Sequence, residues 1–241
     1  MYDLLSKHAP TKTRIAEIEA REHRVSVSKL KDSVLRTSAM RDIIGAGVRA
    51  CVGRSDISTT LLDVEDQARV VLDLRHSTLA PDVRTMLVSE VRGAVQRQRG
   101  TNNEGAILDT YEKDKEVIVA DRNTMTFRKD YVVFKLVGRT DGYVSKHNRI
   151  VDSKARTRWW PAVPIYDEVQ LRVYMDLSGA TESELVESFP DGRTRETNYP
   201  RDPEKWEVIH SSLVSAAKKM NDMMTDDEAL ASLVFANTVP I

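Results

Sequence analysis

The chain has 241 residues, 36 Lys+Arg against 37 Asp+Glu, a formal net charge of -1 and 41% hydrophobic residues, which excludes a disordered or collagen-like polymer. Its one cysteine, Cys51, excludes an intrachain disulfide framework, a four-cysteine zinc site and a four-cysteine iron–sulfur cluster. No apolar run approaches the ~20 residues of a membrane-spanning helix, and the N-terminal segment lacks the apolar stretch of a secretory signal, so neither is expected.

Most of 12–99 reads as helix, with apolar positions such as Ile15 and Ile18, or Leu61, Leu62, Val64, Val70, Val71 and Leu74, at amphipathic spacing. A helix at 102–115 follows, opened by Thr101-x-x-Glu104 as a capping box. Strands are predicted at Glu116–Ala120, Met125–Arg128, Tyr131–Val137 and Arg149–Arg156, with a turn at Ser145–Asn148. A helix over 166–178 ends at Gly179, and a strand near 183–189 closes at Pro190-Asp-Gly192. The last helix runs over about 203–224, with Asp202 as N-cap and Pro203 in its first position. No segment reads as a linker. The expectation is a single α/β domain over 1–241, with a mainly helical portion 1–99, a core 100–224 and a C-terminal tail 225–241.

Charge is unevenly spread along the chain. Residues 1–60 hold eleven Lys/Arg against seven Asp/Glu, 139–175 hold seven against four, and 176–241 hold six against thirteen. A basic beginning and middle offset by an acidic end point to an anionic partner, or to a solvated surface of uneven charge.

The chemistry is concentrated between residues 138 and 174. Asp141-Gly142 sits where a strand ends, and Asp152-Ser153-Lys154 lies within the next strand. Alternation puts Asp152 and Lys154 on one face, where a carboxylate and an ammonium are costly to bury unless paired or metal-bound. If a hairpin brings Asp141 alongside, two carboxylates repel each other, and a hard divalent ion such as Mg2+ or Mn2+ relieves the repulsion. Gln170 and Tyr174, four apart on a helix, share a face that could orient a water or the lysine. Taken singly, Asp141-Gly142 also reads as a turn, and Asp152 with Lys154 as a surface pair.

Together, Arg99/Gly100/Glu104, Asp141-Gly142, Asp152-Ser153-Lys154 and Gln170/Tyr174 resemble the motifs of the PD-(D/E)XK nuclease superfamily. The branch they resemble contains the lambda exonuclease and YqaJ-type viral recombinases. Two departures are Asp152 in place of the usual glutamate and Thr140 in place of the proline before Asp141. The resemblance implies a restriction-endonuclease-like core, a small mixed β-sheet flanked by helices, with a helical N-terminal portion. It implies hydrolysis of duplex DNA ends from 5′ to 3′, leaving 3′ single strands for recombination. The alternatives are a structure-specific or sequence-directed endonuclease and a non-catalytic DNA-binding module.

By the same resemblance Asp141, Asp152 and the Ser153 backbone carbonyl hold Mg2+ or Mn2+, and Glu104 reaches a second ion. Lys154 stands beside the attacked phosphate, and Gln170 and Tyr174 position it. Arg21 and Ser28, with Arg24 nearby, match the element that holds a terminal 5′-phosphate, while Ser28 alone also reads as a helix N-cap. Arg156, Arg158 and Arg172 are expected to meet backbone phosphates. A homotrimer, a single-strand annealing partner and an intracellular setting are implied as well: the cytoplasm of a phage-infected or prophage-bearing host, or the nucleus for a eukaryotic virus.

Overall fold

The computed structural model describes residues 9–52 and 57–240. The elements in chain order are α1 (Ala9–Arg21), β1 (Arg24–Ser26), α2 (Val27–Leu35), α3 (Ser38–Ala50), α4 (Ser58–Arg75) and α5 (Pro81–Lys115). Next come β2 (Thr126–Asp130), β3 (Lys135–Arg139), β4 (Gly142–Val144) and β5 (Arg149–Ala155), then α6 (Ile165–Ser178), β6 (Glu182–Ser188) and β7 (Thr194–Pro200). The chain closes with α7 (Pro203–Thr225), α8 (Asp227–Asn237) and β8 (Thr238–Pro240). It divides into two units, one of residues up to Arg99 together with those from Lys219 onward, the other Gly100–Lys218.

The first unit is helical. Met40, Ile44, Leu61, Leu72, Leu87 and Val91 belong to one apolar core, assembled because each helix repeats its apolar residues every three or four positions. Gly47 lets α3 and α4 approach closely, since a Cβ there would lie 2.6 Å from a Val64 methyl. Within the segment expected as a C-terminal tail, the described residues form α8 and β8. Asp226 caps α8 by accepting from the Glu228 and Ala229 N–H groups at 2.9 Å. β8 then pairs antiparallel with β1, Val25 opposite Val239. Sequence separation hides such a pairing. The helix N-cap expected at Ser28 falls at Ser26, whose hydroxyl accepts from Lys29 N–H at 3.4 Å.

The second unit carries the mixed sheet, ordered β4-β5-β6-β7. Only β5 and β6 run parallel, joined by the crossover helix α6. Ile107, Leu108 and Tyr111 of α5 pack with Val144, Val151 and Val186 on one face of the sheet. Leu171 and Met175 of α6 pack with Ile150 and Leu185 on the other. This is the small mixed sheet flanked by helices that was expected.

Four local expectations change. Thr101 and Glu104 lie inside α5, which runs unbroken to Lys115, so they form no capping box. Glu116–Ala120 is not a strand: Glu116 turns to φ 52°, and Val119 N–H donates to the Glu112 carboxylate at 2.6 Å. Only Ala120 makes a bridge there, with Tyr143. Tyr131–Phe134, apolar enough to read as the start of a strand, is the turn of the β2–β3 hairpin, closed by Tyr131 N–H to Phe134 C=O at 2.8 Å. β7 was missed, because Thr194–Pro200 is mostly polar and alternates exposed with half-buried positions, as an edge strand does.

Candidate active site

The antiparallel register pairs Gly142 with Val151, so the next step along it sets Asp141 opposite Asp152. Gly142 is required here for close approach rather than for a turn. A Cβ would meet a Val119 methyl at 2.1 Å, and the 120–123 segment lies along β4 through Ala120–Tyr143 and Asn123–Asp141 backbone bonds.

Asp141 accepts from the Ser153 N–H at 2.7 Å and from its hydroxyl at 3.1 Å, which fixes the carboxylate against β5. Asp152, 2% exposed, pairs with Lys154 at 2.5 Å. Burial, countered by the Lys154 ammonium and reinforced by the Asp141 charge, pushes the Asp152 carboxyl up to about 7. For Lys154 burial pulls downward, but the Asp152 and Asp141 carboxylates outweigh it and hold its ammonium above the ordinary value.

Side chains 150, 152 and 154 of β5 face α6. There Gln170 donates to the Tyr174 hydroxyl at 2.6 Å, and burial raises the phenol, which lies within reach of the Asp152, Lys154 and Asp141 charges. Glu104 comes from α5 and is hydrogen-bonded by the Asn123 amide. Burial pushes its carboxyl up, the Asn123 bond opposes this, and Asp141 adds to the rise. Asn123 was not foreseen; its φ of 56° belongs to a loop with no sequence periodicity.

The structure thus gathers Glu104, Asp141, Asp152, Lys154 and Tyr174 into one electrostatic neighbourhood, with Gln170 attached through Tyr174. Among the described residues no group of three or more His, Cys, Asp or Glu side chains stands close enough to hold a metal ion. The donor set nevertheless suits a hard cation: oxygen ligands only, and a buried carboxylate that is costly to ionise beside a second one. Asp141, Asp152 and the Ser153 carbonyl could hold it, and Glu104 could join on leaving Asn123.

The arginines expected at phosphates divide into two groups. Arg156 is not turned to solvent: it pairs with Asp167 and Glu187, each at 2.6 Å. Arg172, 5% exposed, is held by Glu168 at 2.8 Å. Arg158 is exposed and lies 4.5 Å from the Trp160 ring centre. In the helical unit, Arg24 is engaged by the Thr238 hydroxyl at 2.7 Å and carbonyl at 2.8 Å, whereas Arg21 is exposed beside Glu22 and Ser28 is exposed on α2.

No protein-family model matches the sequence, and no curated protein matches it. Among solved structures, it is similar to an alkaline exonuclease from Laribacter hongkongensis, at 15% identity over 73% of this chain and 93% of that one, with a TM-score of 0.42. The same exonuclease in complex with dAMP matches at 16% identity over 84% and 92%, TM-score 0.42. A phage-related exonuclease from Haemophilus somnus matches at 15% identity over 58% and 73%, TM-score 0.42. No helix among the described residues is long and apolar enough to cross a membrane.

Proposed function

We propose that this chain is a metal-dependent deoxyribonuclease that hydrolyses phosphodiester bonds from duplex DNA ends, 5′ to 3′, leaving 3′ single strands for recombination. The observation that carries the reading is Asp141 beside buried Asp152, with Lys154 two residues on along the same face of β5. Two carboxylates sharing one ammonium leave negative charge in excess, the electrostatic condition for a cation.

Asp141, Asp152 and the Ser153 carbonyl would hold one Mg2+ or Mn2+ in this reading, and Glu104 would serve a second. A cation bound there would supply Lewis-acid polarisation to the scissile phosphate and to the attacking water. Lys154 would place positive charge where the phosphate accumulates negative charge. Gln170 and Tyr174 hold the lysine and the water in line. Arg158 meets backbone phosphate, and Arg21 with Ser28 receives the terminal 5′-phosphate. A homotrimer, an annealing partner and a phage-infected or viral host setting rest on the family resemblance alone.

The test is release of acid-soluble nucleotide from linear duplex by the wild type, Asp141→Asn and Lys154→Ala. The reading expects release by the wild type alone at about 1–10 mM Mg2+ or Mn2+; background release by all three ends it. Supercoiled circular DNA should stay intact, and its cleavage would make the enzyme an endonuclease. Ends bearing 5′-hydroxyl should be degraded more slowly than 5′-phosphoryl ends, and Arg21→Ala should erase the difference.

A further inference from the structure

The β2–β3 hairpin stands outside the four-stranded sheet and has two unlike faces. Its inner face lies flat on α6: a Cβ on Gly138 would come within 2.7 Å of the Tyr174 ring, and Phe127, opposite Gly138, packs with the cluster that includes Tyr174. Lys129, also on that face, binds Asp176 of α6 at 2.9 Å. Alternation therefore turns Thr126, Arg128, Asp130, Lys135, Val137 and Arg139 outward.

Along this outer face Asp130 and Lys135 cancel near the turn, paired at 2.9 Å. Toward the other end Arg128 and Arg139 are both exposed, and among the described residues neither has an ion-pair partner. Arg128 lies opposite Val137 and Thr126 opposite Arg139, so the two arginines are diagonal neighbours about 7–8 Å apart, with their Cβ atoms somewhat closer. Val137 beside them is 50% exposed. Arg139 is two residues from Asp141, and its charge reaches Glu104. Two unpaired guanidinium groups in a row, beginning beside a carboxylate cluster, match consecutive phosphates of one nucleic-acid strand.

We infer that the outer face of the β2–β3 hairpin is a phosphate-binding ribbon, in which Arg139 and Arg128 track the backbone of the DNA strand as it enters the carboxylate site. The inference rests on the nuclease reading and adds to it the surface that carries the substrate. The contacts are to backbone, so they confer affinity without sequence preference.

Duplex binding is measured by fluorescence anisotropy in EDTA, where no hydrolysis interferes, over about 0.05–0.3 M NaCl. The wild type is compared with Arg128→Ala, Arg139→Ala, the double variant and Arg69→Ala, a surface control from the helical unit. Each ribbon substitution should flatten the slope of log K against log[salt] by about 0.9, and the double by about twice that. Arg69→Ala should leave the slope unchanged. With Mg2+, the double variant should raise KM more than it lowers kcat, and Arg→Lys at both positions should restore most of the slope. Thermal melting should match the wild type, since among the described residues neither arginine holds an ion pair. If the wild type degrades DNA while the double variant keeps the full salt slope, the ribbon is refuted and the nuclease reading stands. If the wild type neither binds nor degrades DNA, the nuclease reading fails and takes the ribbon with it.

Discussion

Among the described residues of the helical unit the buried ones are Met40, Ile44, Leu61, Val64, Leu72, Leu87, Val91 and others of that kind, joined among polar residues only by Thr60 and Thr238. In the sheet unit the burial extends to Asp152, Asp167, Arg172, Glu184 and Glu187, and among the described residues every buried charge is found there. Most of those charges have a partner of matching number. Glu187 and Asp167 are answered by Arg156 and Arg195, Arg172 by Glu168, and Glu184 by Arg149 and the Tyr111 hydroxyl. Asp152 and Asp141 share one lysine. The contrast separates two settings of buried charge: ion pairs that fasten β5, β6, β7 and α6, and a pair of carboxylates that share one lysine, the site proposed for a cation.

The largest effect should come from the carboxylate pair. Asp152→Asn should lower metal-dependent hydrolysis by ~10³-fold or more while leaving the melting temperature equal or higher, because it relieves repulsion between two acids. Nucleotide release and a thermal melt on one preparation decide it; a variant that is both inactive and markedly less stable would put Asp152 among the fastening pairs. Glu187→Gln should do the reverse. It leaves Arg156 and Arg195 short of their shared carboxylate in a site where Glu187 is 0% exposed, and should cost about 3–5 kcal/mol in denaturant unfolding. In the helical unit Leu87→Ala, also at 0% exposure, should cost about 2–5 kcal/mol by leaving a cavity.

The site was legible where its residues sit on regular elements. Asp152 and Lys154 could be put on one face of a strand, and Gln170 and Tyr174 on one face of a helix, because the periods of 2 and 3.6 fix those relations locally. Asp141-Gly142 was legible as a pair, but the reason for the glycine was hidden: it makes room for Val119, in a segment misread as a strand. Partners supplied from elsewhere in the chain left no trace. Nothing near Arg156 announces that Glu187 will meet it from the neighbouring parallel strand, nor near Arg24 that Thr238 will. A basic residue beside a catalytic motif therefore looks free for phosphate until the sheet is assembled. Conversely, the common outward face of Arg128 and Arg139 follows from the register of the hairpin and not from any local period.

The smallest predicted effect probes a fastening cluster by pH. Tyr111 donates to Glu184 at 2.6 Å and accepts from Arg149 at 3.2 Å. Burial and the Glu184 bond push its phenol from 10.0 up to about 12, with Arg149 opposing. The folded state thus holds the proton more tightly than the unfolded chain does. The resulting stability is complete below pH 10 and is lost as pH rises toward 12. Tyr111→Phe removes both the hydrogen bond and this linkage. It should cost about 0.5–1.5 kcal/mol at neutral pH, less than Glu187→Gln or Leu87→Ala, because Arg149 still satisfies Glu184. Lysine deprotonation weakens both proteins over the alkaline range, so the quantity to follow is the difference between them. That difference should narrow between pH 10 and 12. A gap that stays constant across the window would mean that the phenol is not coupled to folding, and that Glu184 is held by Arg149 alone.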